Sequence, residues 1–337
     1  MSFALSIIFG ALAGGIGVHF TIRLVDGPES RGSAVCPSCH SSLSSVQRIP
    51  VFGWFAGCGR CRSCRKPLPV WYVLMPIGTA VLFGVYSQVV LDLGCQRIVE
   101  VQPDPFSHVA RLGYHLLLFT ALVTATATDL RDYMIPDAIT APATIAGILL
   151  ATVSGDLQII HLWVDWNHPL IELDGPWIPD WIQQHRHLHG FAWSVAGAAA
   201  GGGLTWMVRV SSRLILGHAA FGFGDVTLMT MIGSFVGWQA AVLVFLIAPL
   251  MAIGFGLAIL VFTGRRIIPY GPWLAAATPV VLSLWRWIWV PLREVFGHLQ
   301  SLLTMSGICV AAMILMLTAL RFWRSPRSIG SNSGKST

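Results

Sequence analysis

The chain has 337 residues, of which 55% are hydrophobic and only 11% are charged, and its mean hydropathy is +0.69. Soluble globular domains carry about 25% charged residues, so the composition excludes a disordered chain and argues strongly against an ordinary soluble enzyme. The net charge of +6 lies in a few short stretches. That distribution is typical of a polytopic membrane protein and differs from that of a nucleic-acid-binding domain, so we expect no nucleic-acid partner.

Nine apolar segments approach the length of about 20 residues that a helix needs to cross a bilayer. In chain order they are 2–24, 71–91, 109–128, 138–154, 189–208, 226–242, 243–263, 273–290 and 302–322, with a break at Gly237-Trp238-Gln239 between the sixth and the seventh. The predicted fold class is therefore an all-α, polytopic membrane helical bundle with about eight or nine transmembrane helices. We expect membrane lipid to surround this helical bundle.

The predicted organisation has five parts. They are a first transmembrane helix at 1–25, a polar loop at 26–70, a membrane-embedded core at 71–290 with an outer-side insertion at 155–188, an additional C-terminal transmembrane segment at 291–323 and a disordered tail at 324–337. Tryptophans among acidic residues indicate that the insertion lies at the level of the lipid headgroups.

Three histidines follow these tryptophans, namely His185, His187 and His189. A solvated or interfacial cluster is favoured for them over a metal site. Trp285, Trp287 and Trp289 indicate an interfacial aromatic belt.

The basic residues predict the orientation in the membrane. With the N-terminus outside, 16 of the 21 Lys and Arg residues fall on the cytoplasmic side, where basic residues are preferred. The remaining five lie outside or within a span: Arg97, Arg111, Arg186, Arg286 and Arg293. We therefore expect a multi-pass protein of the bacterial cytoplasmic (inner) membrane, with the N-terminus outside and the C-terminus inside.

The polar loop predicts a metal site. Cys36-Pro-Ser-Cys39 and Cys61-Arg-Ser-Cys64 are two C-x2-C knuckles, which can place four thiolates tetrahedrally around a structural Zn²⁺. Zinc binding would supply the folding free energy that so short a segment cannot obtain from a core. Two local disulfides are disfavoured because the loop faces the reducing side. A register that uses Cys58 with Cys61 stays open.

Two aspartates lie where the bilayer makes a charge costly. Asp129 ends the third predicted span and Asp225 opens the sixth, in Gly222-Phe223-Gly224-Asp225. The predicted topology brings both to the cytoplasmic face, each at the end of an apolar helix. Two adjacent carboxyls share one proton at neutral pH, which suits general acid-base catalysis. Asp132 competes with Asp129 for this role, and either aspartate could simply mark a helix end.

These motifs resemble those of the prepilin leader peptidases, which are membrane aspartyl proteases with a GxGD motif. The resemblance covers about 20–280 and includes the two knuckles, the stretch from Asp129 to Asp137, the GFGD turn and Ile268-Pro269-Tyr270-Gly271-Pro272-Trp273, which is similar to the family's P-F-G-P-F segment. It implies that Asp129 and Asp225 are the catalytic pair. It also implies that the substrates are type IV pilin-like or pseudopilin precursors, whose basic leader is removed at the cytoplasmic face.

Other features of the family are altered in this chain. Many members also methylate the new N-terminus with S-adenosylmethionine, but here the serine and asparagine of G-S-F-L-N-x-x-I-x-R-L are missing from 14–24. The glutamate of Y-P-L-V-E-L is replaced by Pro76, and the lysine after GFGD by Thr227. These changes argue against methyl transfer and remove a cation near the site.

Two other functions stay open from the sequence. The acidic pair would also suit a proton-coupled transporter, and the cysteine loop would suit a non-catalytic scaffold that docks a partner.

Overall fold

The protein is described by a computed structural model that covers residues 3–25, 36, 38–39, 41, 51–102, 104–164, 178–263 and 269–324. Regular structure in these ranges is helical, which confirms the predicted all-α class. The helices are α1 (Phe3–Val25), α2 (Phe52–Ala56), α3 (Trp71–Leu91), α4 (Pro105–Asp132), α5 (Asp137–Ser154), α6 (Asp180–Gln184), α7 (Arg186–Leu216), α8 (Phe223–Thr263), α9 (Gly271–Ser283), α10 (Trp285–Gly297) and α11 (Leu299–Arg324). The predicted tail after Arg324 and the middle of the insertion lie outside the described residues.

Fewer helices than predicted are long and apolar enough to cross a membrane. Within the described ranges, six qualify by length and composition, namely α1, α3, α4, α5, α8 and α11, and the bent pair of α9 and α10 makes seven if it is one span. By this criterion, with α8 counted once, the described ranges hold six or seven candidate spans where eight or nine were expected. The difference arises at α7, which does not qualify although it replaces the predicted span 189–208, and at α8, which joins two predicted spans.

Helix α8 folds back on itself at the predicted break. Gly237 has φ of 78° and ψ of 170°, which are not helical values. If α8 were straight, Phe245 would lie about 36 Å along the chain axis from Phe221, which precedes the helix. Their ring centroids are instead 6.5 Å apart. The chain therefore reverses at Gly237, where a side chain would collide with the indole of Trp193.

The predicted span 273–290 is also broken. Helices α9 and α10 meet at an angle of 87° around Leu284. Trp285 and Trp289, one helical turn apart on α10, are buried and stack with their ring centroids 5.3 Å apart, whereas Trp287 is exposed. The interpretation of all three tryptophans as an interfacial belt is wrong for the buried pair, because residues four apart share a helix face.

Small residues let the long helices approach closely. Gly197 of α7 packs against Gly233 of α8, so that a Cβ at either position would collide with the backbone of the other helix. Close packing through glycine is a common way for membrane helices to associate. Between α4, α5 and α8, the Tyr114 hydroxyl shares its one proton between the carbonyls of Gly147 and Ser234, at 2.9 Å and 3.0 Å. These contacts tie together the helices that carry the two predicted catalytic aspartates.

The described start of the insertion packs against the turn in α8. The Trp238 indole N–H donates to the carbonyl of Leu162 at 2.8 Å. His189 is buried, and its Nε2 accepts a hydrogen bond from the backbone N–H of Leu162 at 3.0 Å. His189 is thus part of the interior and not of a solvated cluster, which corrects the expectation for that residue.

Candidate active site and metal centre

Asp129 lies in the last turn of α4. The helix ends at Tyr133, which adopts a left-handed conformation with φ of 54° and donates its backbone N–H to the Asp129 carbonyl at 2.9 Å. The Asp129 side chain is buried, and its Oδ2 makes no well-aligned hydrogen bond among the described residues, although the backbone N–H of Gly271 approaches the carboxyl. Asp132, three residues later, is exposed. Asp129 therefore has the buried position that a catalytic carboxyl needs, and Asp132 does not.

Asp225 is held by the turn that precedes it. The backbone N–H of Gly222 donates to Asp225 Oδ2 at 2.9 Å, which closes the GFGD segment into a small loop at the start of α8. The Asp225 side chain is buried, with 9% of its surface exposed. One carboxylate oxygen of Asp225 is thus fixed by the backbone.

The structure brings the two aspartates together around Ile135. A Cβ added at Gly271 would lie 2.5 Å from Asp129 Oδ2 and 2.9 Å from Ile135 Cδ1, and one added at Gly224 would lie 3.0 Å from Ile135 Cβ. Gly224 immediately precedes Asp225, whose charge is close enough to act on Asp129. Three segments distant in sequence, around Asp129, Asp225 and Gly271, therefore meet at what we call the aspartate end of the bundle.

Two further side chains approach Asp225, and the sequence assigned neither of them a role. Arg209 of α7 donates from Nη1 to the carbonyl of Phe221 and lies close enough to attract the Asp225 carboxylate. It supplies a cation near the place where Thr227 replaces the family's lysine. Tyr270 stacks on Phe221 with ring centroids 4.7 Å apart, and its hydroxyl is buried without a hydrogen-bond partner among the described residues. Burial and the charge of Asp225 raise the pKa of Tyr270, so its hydroxyl stays protonated.

The four cysteines of the two knuckles form one cluster. The sulfurs of Cys36, Cys39, Cys61 and Cys64 lie within 4.8 Å of one another. Cys58 is exposed and is not part of this cluster. The Sγ atoms are 3.7 Å apart in the pair of Cys36 and Cys64, and 3.9 Å apart in that of Cys39 and Cys61. Both distances exclude disulfides, whose sulfurs are about 2.05 Å apart.

The cluster fits a metal ion that prefers tetrahedral sulfur ligands. Zn–S bonds of about 2.3 Å place the sulfurs of a tetrahedron about 3.8 Å apart, which is close to the spacings observed here. Within the cluster the backbone N–H of Cys64 lowers the pKa of the Cys61 thiol to about 6, whereas burial and the neighbouring thiols raise the pKa of Cys64 to about 11. Binding of a metal would convert all four thiols to thiolates. The four residues could therefore hold a metal, and with all four ligand positions taken by cysteine such a site is structural.

The cysteine cluster lies near the aspartate end. The loop leads into α3 at Trp71, and the Arg131 guanidinium at the end of α4 lies 5.2 Å from the centroid of the Trp71 ring. Arg131 is only two residues from Asp129. The described part of the loop is thus attached to the same end of the bundle as the two aspartates.

Comparisons with known proteins find a family that this arrangement is similar to. Residues 8–89 match the bacterial peptidase A24 N-terminal domain, and residues 179–257, which include Asp225, match the type IV leader peptidase family. The segment that carries Asp129 lies between the two matched regions.

Relatives of the family cover most of the chain. A prepilin leader peptidase/N-methyltransferase of Aeromonas hydrophila is 26% identical over 259 residues, which is 75% of this chain and 73% of the relative. One from Neisseria gonorrhoeae is 25% identical over 289 residues, which is 82% of this chain and 84% of the relative. One from Burkholderia pseudomallei is 25% identical over 260 residues, which is 74% of this chain and 66% of the relative. No solved structure matches.

Proposed function

We propose that the chain is an aspartyl endopeptidase of the membrane that removes the leader from prepilin-like precursors, with Asp129 and Asp225 as the catalytic pair. The relatives are named prepilin leader peptidases, which supports peptide cleavage over the transporter and scaffold alternatives. The observation that carries the residue assignment is the meeting of two buried aspartates, from α4 and α8, at one end of an apolar bundle.

Hydrolysis follows from the sharing of one proton by the two carboxyls. The ionised carboxylate removes a proton from a water molecule, whose oxygen attacks the scissile carbonyl carbon. The protonated carboxyl transfers its proton to the carbonyl oxygen as the tetrahedral intermediate forms. When the C–N bond breaks, the proton taken from water passes to the leaving amine. As the C=O bond forms again, the hydroxyl of the intermediate returns its proton to the second carboxyl, so both carboxyls return to their starting state.

The surrounding groups fit defined roles in this mechanism. The Gly222 N–H fixes one oxygen of Asp225, which reduces the freedom of the catalytic carboxylate. The unpartnered Tyr270 hydroxyl stays protonated and is available as a hydrogen-bond donor to the developing oxyanion. Arg209 supplies positive charge near Asp225 and attracts that carboxyl when it is ionised.

The proposed substrate is a type IV pilin-like or pseudopilin precursor. Its apolar helix would stay in the bilayer and its basic leader would face the cytoplasm, which positions the scissile bond at the membrane surface beside the aspartates. The distribution of Lys and Arg supports an orientation in the bacterial inner membrane with the N-terminus outside and the aspartate end inside.

We assign the cysteine cluster to a structural Zn²⁺. When bound, the ion cross-links the two knuckles and supplies folding free energy to the loop. S-adenosylmethionine is not included in the proposed function. Pro76 occupies the position of the family's glutamate, and its Cα packs against Gly14 of α1, so an apolar contact stands where the family has a carboxylate.

Cleavage of a purified precursor tests the proposed function. The protein in detergent is incubated with a pilin-like precursor that carries a basic leader, and the products are identified by mass spectrometry. One cut immediately before the apolar helix is expected. A precursor whose leader is replaced by a neutral sequence serves as the substrate control. An intact precursor after prolonged incubation with folded protein would contradict the peptidase assignment.

A further inference from the structure

A second site lies at the end of the bundle opposite the aspartates. It is a pocket of about 740 Å³ between the start of α4, the residues before it and α10. Pro105 lines the pocket and Asp129 lies 24 residues further along the same helix, which corresponds to about 36 Å. The hydrocarbon core of a bilayer is about 30 Å thick, so the pocket is at the level of the opposite headgroups.

The pocket collects most of the basic residues of this face. Of the five Lys and Arg residues that the predicted orientation leaves on the outer side or within a span, three line this one pocket: Arg97, Arg286 and Arg293. The acidic residue in the lining is Glu100, whose Oε1 accepts a hydrogen bond from the indole of Trp289 at 2.8 Å. The lining therefore carries an excess of positive charge.

Helix α10 presents its arginines in the plane of the membrane surface. It is bent by 87° from α9, so it runs across the bundle axis. Arg286, Val290 and Arg293 follow the spacing of one helix face and line the pocket, and Trp285 and Trp289 are buried directly beside that face. A short helix that combines basic residues with buried tryptophans and lies across the bundle axis is typical of one that lies among lipid headgroups.

A buried imidazole also faces the pocket. His108 is one of the lining residues and is only 7% exposed, and neither of its ring nitrogens makes a well-aligned hydrogen bond with a described residue, although the Val90 carbonyl lies close to the ring. Unpartnered buried nitrogens are rare because they lose their hydrogen bonds to water. The imidazole offers a donor to an anion in the pocket. Apolar walls at Ile98, Val109 and Val290 leave room for the carbon chain attached to such an anion.

We propose that this pocket binds the phosphate of a phospholipid headgroup in the membrane leaflet opposite the aspartates. Arginine guanidinium groups match the geometry and charge of phosphate oxygens. The volume exceeds that of a phosphate ion alone and accommodates the glycerol and the first carbons of a lipid. This site is independent of the peptidase assignment, because it uses none of the residues at the aspartate end.

Binding is tested on the delipidated full-length protein in a neutral detergent. Phosphatidylglycerol, phosphatidylcholine or inorganic phosphate is added, and the bound molecules are counted by native mass spectrometry. One phosphatidylglycerol per chain is expected, with tighter binding than that of zwitterionic phosphatidylcholine. Competition by inorganic phosphate at the same concentration as the lipid would overturn the lipid as the source of the phosphate.

Variants separate the site from nonspecific lipid adhesion. The loss of one basic residue at a membrane surface weakens lipid binding about fivefold. The double variant Arg286→Gln/Arg293→Gln should therefore bind the lipid about 25-fold more weakly. The matched control is Arg186→Gln, because Arg186 is exposed and pairs with Asp156 at 3.2 Å, outside the pocket. Precursor cleavage by each variant reports folding. Equal lipid binding by the double variant and the wild type, or equal loss in the control, would overturn the site.

Discussion

Gly271 leaves no room for a side chain beside Asp129, so its replacement by alanine perturbs the proposed catalytic pair directly. The added Cβ would lie 2.5 Å from Asp129 Oδ2, which is about 0.9 Å short of the 3.4 Å at which ordinary contact begins. Because Asp129 is buried, relief of the collision has to move the carboxyl itself. A displacement of about 1 Å costs roughly 100-fold in rate when reacting groups must be aligned.

We therefore expect Gly271→Ala to lower kcat for precursor cleavage about 100-fold, with little change in KM. Initial rates over a range of precursor concentrations in detergent measure both constants. The matched control is Gly203→Ala, because no atom lies within 4 Å of a Cβ at Gly203, and it should cleave at the wild-type rate. A folded Gly271→Ala variant with a wild-type kcat would refute the proposed position of Asp129 in the reaction.

Three other predictions concern the surroundings of the site. Tyr270→Phe should lower kcat about tenfold with KM unchanged, as measured by the same initial rates, since one hydrogen bond to the oxyanion is lost; an unchanged kcat would remove Tyr270 from the mechanism. The protein should contain one zinc ion per chain by elemental mass spectrometry, and Cys61→Ser should lose it whereas the exposed Cys58→Ser retains it; equal metal content in both variants would contradict the four-cysteine site. Addition of S-adenosylmethionine should leave the mass of the cleaved product unchanged, because Pro76 stands in place of the family's glutamate, and a product heavier by one methyl group would contradict that expectation.

The sequence predicted the features that depend on local spacing. The knuckles place four cysteines in one cluster because each C-x2-C turn brings its own two sulfurs together. The break at Gly237 was predictable because glycine readily adopts a positive φ and is followed there by polar Gln239. Burial of Asp129 also followed from its place at the end of an apolar segment.

The features that were missed depend on contacts between distant segments. Arg209 lies on α7, and nothing in its local sequence shows that the helix brings it close to Asp225. The bend between α9 and α10 falls at Leu284 within an apolar run, so hydropathy alone predicts one continuous span. Burial of Trp285 and Trp289 depends on that bend. The pocket lined by Arg97 and Arg286 combines residues that are almost 190 positions apart.

The central claim is that Asp129 and Asp225 act together as the catalytic pair, and single-turnover cleavage by single Asp→Asn variants tests it most directly. Asp129→Asn and Asp225→Asn should each slow cleavage by about 1,000-fold or more, because each removes an acid-base group while nearly preserving side-chain shape. Asp132→Asn is the matched control, since Asp132 is exposed on the same helix end, and it should cleave at close to the wild-type rate. Near-wild-type cleavage by either Asp129→Asn or Asp225→Asn would contradict the proposed pair.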